Sequence, residues 1–456
     1  MGVALLLALA GCGTVRPERG HDTVAQLVEQ RAGQQTGWKA GPPAEAQVAE
    51  RVEALLAGGL TRQRAVAIAL VNNRALRETY DELGVSQAEM VEAGLLENPT
   101  LSLDVGFPLS GGVPEFDASL VQNFLSLFVL PARKRIAAEQ FDADVKRVAH
   151  ETLGVAAEVS QALVAVQASE QLVGLRRTVL EAAEAAASLS EKLYRAGNVP
   201  ELAYVSERAA YEQAKLELAR GELALTEHRE ALNRLLGLWG PQTGWKLAEK
   251  LPELPAEEPE VEHLESFAVR ERLDLAAARG QAQVMARAAS LARSTRFLGV
   301  LEVGVDYHRD PDGPRVVGPT LSLELPIFNR RGPLVARLEA LSRQAESRLA
   351  GLGVEVRSQV RVAQARLAVA RQVVEHYRKV LLPLRERIVE LSLLHYNGMD
   401  LSPVELLTVK AEQVESYRSY LEALEDYWKA RAELERVVGG KLPSAAPPAP
   451  RQEPAR

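Results

Sequence analysis

Aromatic residues make up only 5% of this 456-residue chain, and cysteine occurs once, at Cys12. So small an aromatic share argues against a large globular core; Ala, Leu, Glu, Arg and Val dominate instead, which is the balance of long helices. A lone cysteine excludes an intramolecular disulfide. Charge of neither sign prevails, because 61 acids and 54 bases are mixed along the chain for a formal net charge of -7. No basic face is offered to phosphates, so nucleic acid is not an expected partner. Catalytic motifs are missing too. The seven histidines are dispersed, no HExxH, CxxC or phosphate-cradling glycine loop occurs, and the four methionines form no copper-type cluster. The reading is of a protein that is not an enzyme and needs neither cofactor nor metal.

What is present begins at the N-terminus. The stretch "VALLLALAGC", ending at Cys12, is too short to span a bilayer as a helix. An apolar core followed directly by small residues has the form of a secretory signal, here residues 1–11, although Met1-Gly2 lacks the basic residue such a signal starts with. "LAGC", Leu9 to Cys12, resembles the bacterial lipobox, which implies acylation of Cys12 after cleavage. Two or three acyl chains hold a protein firmly to a bilayer, where one does so marginally. Gly13 after the cysteine resembles lipoproteins sorted to the outer membrane.

Residues 12–60 form an N-terminal segment, with a polar approach without sustained period from Gly13 to about Glu50. Two similar halves follow, at 61–240 and 266–440, separated by a Pro/Glu-rich connector at 241–265 and followed by a low-complexity, disordered tail at 441–456. Each half reads as a short helix, two strands, a long helix and a shorter return helix. In the first, Thr61 caps the opening helix, Asn98-Pro99 stops it, and the strand pair spans 100–130, with Leu101, Leu103, Val105 and Phe107 alternating with polar residues. The stretch from Ala132 to Ala196 has no proline, so it predicts a helix of about 65 residues, roughly 95 Å long. In the second half, the strand pair spans 299–328 and the long helix runs from about Leu334 to about His395. Placed end to end, the two shorter helices of a half match the long one, which predicts a rod two helices thick with strands at one end and a turn at the other.

Those turns are written twice, as "LYRAGNVPELAYV" from Leu193 and "HYNGMDLSPVELL" from His395. Gly197 and Gly398 suit positive φ, and Pro200 and Pro403 suit the first turn of each return helix. The strands raise a separate problem. Four of them can neither cover both sides of a sandwich nor close a barrel, because bacterial barrels start at about eight strands. Several protomers must share one barrel, and three copies would supply about twelve strands.

The duplicated turns, the opening "LTRQRAVAIALVNNRALR" with "AGLLENPTLSL", and the helix closers at Leu232 to Gly237 and Leu434 to Gly440 together resemble the TolC family of outer-membrane efflux proteins, in its lipidated branch. The resemblance covers nearly the whole mature chain. It implies a mostly α fold with a small β part: a homotrimer with a twelve-stranded transmembrane β-barrel, four strands per protomer, and a periplasmic α-barrel of long helical hairpins. It also implies a passive exit duct in the outer membrane, held by lipid, whose partners are a periplasmic adaptor and an inner-membrane pump. In such proteins the second turn narrows the periplasmic entrance. The resemblance implies a tip role for Tyr396 and an inward-facing acid at Glu405, whose three copies would form a carboxylate ring. An equally open reading makes Glu405 a solvated glutamate aligned with its helix dipole. Asp400 belongs to the same tip as an N-cap or turn residue. Val199, Leu202, Met399 and Leu401 are candidates for adaptor contact or for packing between neighbouring hairpins. Two other functions fit less well: a lipidated periplasmic adaptor should carry a single hairpin between β halves, and a structural coiled-coil lipoprotein should lack the strands. The cargo is not written in the sequence.

Overall fold

The computed structural model describes residues 15–442 except 17, 34–41, 108, 110–113, 257, 259–262, 298 and 310–312. Cys12, the lipidation candidate, lies outside them, as does nearly all of the tail. Helices dominate: α1 (His21–Ala32), α2 (Pro42–Ala57), α3 (Arg62–Asn72), α4 (Arg74–Glu92), α5 (Leu125–Arg195), α6 (Glu201–Leu236), α7 (Leu264–Glu271), α8 (Leu273–Ser294), α9 (Gly332–His376), α10 (Leu382–Asn397) and α11 (Pro403–Val438). A π-helical turn, Tyr377–Leu381, joins α9 to α10. The four strands β1 (Thr100–Gly106), β2 (Glu115–Asn123), β3 (Leu301–Arg309) and β4 (Arg315–Leu323) form one antiparallel sheet in sequence order.

The residues gather into two compact units that cut across the sequence repeat. Of the described residues, one unit comprises those within 1–24, 79–148 and 273–353; the other comprises those within 25–78, 149–272 and 354–456. Each half of the repeat therefore contributes to both.

The first unit holds the sheet. Its register pairs Leu103 with Ala118, Leu120 with Val305 and Val303 with Leu321, so these side chains share one face with Leu101, Val105, Tyr307, Val317 and Leu323. Much of that face is exposed, including Leu101, Leu103, Val305, Val317 and Leu321. The opposite face carries Ser102, Asp104, Asp117, Ser119, Glu302, Asp306, His308, Thr320 and Ser322. An apolar face left exposed departs from the usual soluble pattern, in which the apolar side of a sheet is packed away.

The second unit is helical and closes on paired asparagines. Asn72 Nδ2 donates to the carbonyls of Leu236 and Gly237 at 2.9 Å, and Asn73 Nδ2 donates to Leu235 at 2.8 Å. These bonds satisfy carbonyls that the end of α6 leaves without helical partners. Gly237 must be glycine, because its φ is 67° and a Cβ there would lie 2.3 Å from the Asn72 carbonyl oxygen. The second half repeats the device with different chemistry. Buried Arg272, in the break between α7 and α8, donates to the Val437 carbonyl at 3.1 Å and to Gln359 Oε1 at 2.7 Å, where α11 ends at Gly439. Leu60, Ile68, Leu70, Leu163, Leu232, Leu236, Leu424 and Tyr427 are fully buried in this unit.

Several expectations change. The N-terminal segment at 12–60 contains α1 and α2, and each half opens with two helices instead of one, broken at Asn73 and at Arg272. Residues 125–130, expected to be strand, are the start of α5. Asn123 Oδ1 accepts from the N–H groups of Leu125 and Ser126 at 3.1 and 3.4 Å, and this launches the helix although Pro131 follows. Residues 324–328 likewise fall outside β4, yet they do not turn helical: Glu324 bonds its backbone N–H to the Val300 carbonyl at 2.9 Å and accepts the Val300 N–H on its carboxylate at 3.0 Å. The similar strings "LSLFVLPARKR" and "LSLELPIFNRR" thus part company because one has a capping asparagine before it and the other an acid that extends the ladder.

The connector is also more than a spacer. Leu60 pairs with Leu247 in a parallel bridge, Trp428 Nε1 donates to the Pro252 carbonyl at 2.8 Å, and Arg371 donates to the carbonyls of Pro255 and Ala256 at 3.1 and 2.9 Å. Tyr420 donates its hydroxyl to Glu253 at 2.8 Å, and burial first, then that carboxylate, pushes the phenol up to about 12.

Candidate functional site

The two turns between helices use the same backbone solution on different side chains. At the first, the N–H of Gly197 bonds to the Tyr194 carbonyl at 2.9 Å and that of Asn198 to Leu193 at 2.9 Å. At the second, the N–H of Met399 bonds to Tyr396 at 3.0 Å and that of Asp400 to His395 at 2.9 Å. Both are Schellman turns, whose closing residue must enter the left-handed region. Gly197 does so at φ 75°. In the second turn the expected Gly398 keeps a right-handed conformation, and the positive φ of 65° falls on Met399. The helix has run one residue further, and Asp400 Oδ2 lies 3.7 Å from His395 Nδ1 across the turn. That contact joins the two positions where Schellman turns commonly carry an apolar pair.

Asp400 is thus a turn residue, and the N-cap is Ser402. Ser402 Oγ accepts from the Glu405 N–H at 3.2 Å, while Glu405 Oε2 accepts from the Ser402 N–H at 2.9 Å. This is a capping box, and Pro403 opens the helix inside it. The backbone bond to Ser402, then its hydroxyl, holds the Glu405 carboxyl below its ordinary range. The serine was missed in the sequence reading, although Ser402 and Glu405 stand in the S-x-x-E spacing that announces such a box. Pro200, expected inside the first turn of α6, is instead its N-cap and offers no side-chain bond.

The first tip is closed by aromatics. Tyr194 and Tyr204 stack with ring centroids 5.4 Å apart and planes 4° from parallel. Tyr396 stands exposed at the corresponding place in the second turn. Leu202 and Met399 are 77% and 93% exposed, Val199 and Leu401 are half-buried, and Gly197 and Gly398 lie at the surface. The structure therefore presents apolar side chains at both tips, and at the second it hydrogen-bonds Glu405 to Ser402 and sets Asp400 beside His395.

Among the described residues no helix is long and apolar enough to cross a membrane. Among the described residues, metal-ligand chemistry comes together in a group on the polar face of the sheet, formed by Glu115, Asp117 and His308. The sequence showed only dispersed histidines, because the register that joins β2 to β3 is needed to assemble this group.

Comparison with known proteins agrees with these features. Residues 65–238 match the family model for outer membrane efflux proteins. The cobalt-zinc-cadmium resistance protein CzcC of Cupriavidus metallidurans is 22% identical over 397 residues, covering 84% of this chain and 91% of its own. A membrane protein from Pseudomonas aeruginosa shares the fold with a TM-score of 0.72 at 19% identity, covering 83% of this chain and 92% of that one. The Campylobacter jejuni CmeC outer membrane channel gives a TM-score of 0.72 at 14% identity, with 89% of each chain covered.

Proposed function

We propose that this chain, whose segment 65–238 belongs to the outer membrane efflux protein family, assembles as a homotrimer into the outer-membrane exit duct of a tripartite efflux or secretion system. The observation that carries this reading is the four-stranded sheet with an exposed apolar face and a polar face. Such a sheet exposes what a bilayer would cover, and its outer strands β1 and β4 end the sheet with open edges. Three sheets joined edge to edge remove those edges, turn the apolar faces to lipid and leave a polar lumen of about twelve strands. The long helices then form the periplasmic part. α5 alone has 71 residues, about 105 Å at 1.5 Å per residue.

Cargo moves passively through the duct, driven by an inner-membrane pump that reaches it through a periplasmic adaptor. Cys12, acylated, adds a lipid anchor. The tips of the hairpins meet the adaptor through Val199, Leu202, Met399 and Leu401, and the second tip, with Tyr396, Asp400 and Glu405, narrows the entrance. The two readings of Glu405 combine: the capping box keeps its carboxylate ionised, so three copies about the trimer axis form a ring that stays charged and favours cations.

Membrane fractionation, gel migration without heating and planar-bilayer conductance test the proposal together. A heat-sensitive trimer from the outer membrane that conducts ions is expected. An inner-membrane location, or a monomer that inserts in no bilayer, overturns it.

A further inference from the structure

We propose that Glu115, Asp117 and His308 form a binding site for a borderline divalent transition-metal ion, of the zinc or cobalt type, on the polar face of the sheet. Each residue offers one ligand atom, and these atoms lie within 4.8 Å of one another. Asp117 and His308 are direct register partners across β2 and β3, and their side chains are in hydrogen-bond contact through His308 Nδ1 and Asp117 Oδ1. On the other ring nitrogen, His308 Nε2 lies 3.9 Å from Glu115 Oε1. Two carboxylates with one imidazole make a donor set that suits zinc or cobalt better than magnesium or calcium, which favour oxygen alone. A tetrahedral zinc places its ligand atoms about 3.4 Å apart and takes one nitrogen of the imidazole, so the carboxylate that faces the other ring nitrogen rotates toward the ion, with water completing the shell.

The surroundings favour a passing ion. Asp104 is the register partner of Asp117, and Asp306 lies two residues from His308 on the same face, so further negative charge flanks the group. The three side chains keep between 37 and 48% of their surface, enough to exchange ligands with water. Glu115 and His308 lie beside the β1–β2 and β3–β4 turns, while the helices leave the sheet at its other end. Resting on the duct reading, this puts one ion site per protomer in the lumen at the outer mouth, where a cation would last be held before release. An ordinary cross-strand acid–histidine pair would show the same contact, and metal binding separates the two.

The test uses the purified full-length protein in detergent, titrated with cobalt(II) and read by visible absorption, then challenged with zinc and with calcium. The expected result is saturable binding of one cobalt per protomer, displaced by zinc and not by equimolar calcium. His308→Ala and Asp117→Asn each weaken it at least tenfold, and Glu302→Gln, on the same face near the helices, leaves it unchanged. Unheated gel migration shows whether each variant is folded, and His308→Gln serves if His308→Ala is not. Absence of saturable binding, equal displacement by calcium, or binding unchanged in the His308 and Asp117 variants overturns the site. The group lies within one protomer, so binding is readable in any oligomeric state. A trimer that conducts but binds no cobalt removes this inference alone, and a protein that binds cobalt but neither trimerises nor conducts removes the duct reading alone.

Discussion

The two hairpin tips solve one geometric problem with opposite resources. The first turn gives its left-handed position to Gly197, starts its return helix at Pro200 without a side-chain cap, and braces the crossing with the Tyr194–Tyr204 stack. The second gives that position to Met399, where a side chain raises the energy, and recovers order through Ser402 and Glu405. Packing holds the first tip, and polar bonds at a helix start hold the second. Aromatic packing does not respond to pH, whereas a carboxylate bond does, so the second tip is the one whose stability solution conditions can change.

Hydrogen exchange resolved by mass spectrometry reads the opening of each tip separately. Gly197→Val carries the largest expected effect: a β-branched residue in the left-handed region destabilises the first tip by about 1–2 kcal/mol. The matching change, Met399→Gly, should slow exchange at the second tip, because it removes strain already there. Faster exchange in Met399→Gly would mean that the methionine side chain contributes packing that outweighs its backbone strain.

Ser402→Ala removes the cap and should cost the second tip about 1 kcal/mol. Pro200→Ala removes no side-chain bond and should move the first tip less. Tyr204→Leu keeps an apolar side chain but loses the ring stack, for an expected loss of about 0.5–1 kcal/mol confined to the first tip. If Tyr204→Leu also loosened residues 395–407, the two tips would not be independent.

The smallest effect expected is the pH response. Glu405 has a folded-state pKa below its ordinary value of 4.5. Its contribution is therefore complete above the ordinary carboxylate range and is lost as pH falls through the lowered value. After correction for intrinsic rates, exchange at the second tip should quicken as pH falls below the ordinary carboxylate range, and that of the first should not. Glu405→Gln should abolish the difference. Conductance separates the second role of this residue, since loss of the charged ring in Glu405→Gln should reduce cation selectivity while Ser402→Ala leaves the charge in place.

Much of this architecture was legible without coordinates. Alternation in "TLSLDV" and "VLEVGVDY" marks strands because neighbouring side chains must point to opposite faces, and an Ala-rich run without proline marks a long helix because good helix formers dominate it. The repeat was visible because both halves carry the same punctuation. The misreadings came where one side chain decides between two local outcomes. Asn123 turns a strand-like string into the start of α5, and the Asp400–His395 contact accompanies a turn whose positive φ moves from Gly398 to Met399. The capping box was within reach of the sequence, since both of its residues lie four positions apart or closer.

The sequence alone determined the long helices, the alternating strands and the two tips, because each follows from interactions between residues close in the chain, and it displayed the duplication directly. Only the tertiary structure decided how the two halves divide into compact units, which side chains close the ends of α6 and α11, and that His308 meets Asp117 and Glu115. Those pairings join segments far apart in sequence. Their partners are chosen by strand register and by helix ends that need bonds, and neither leaves a local pattern to read.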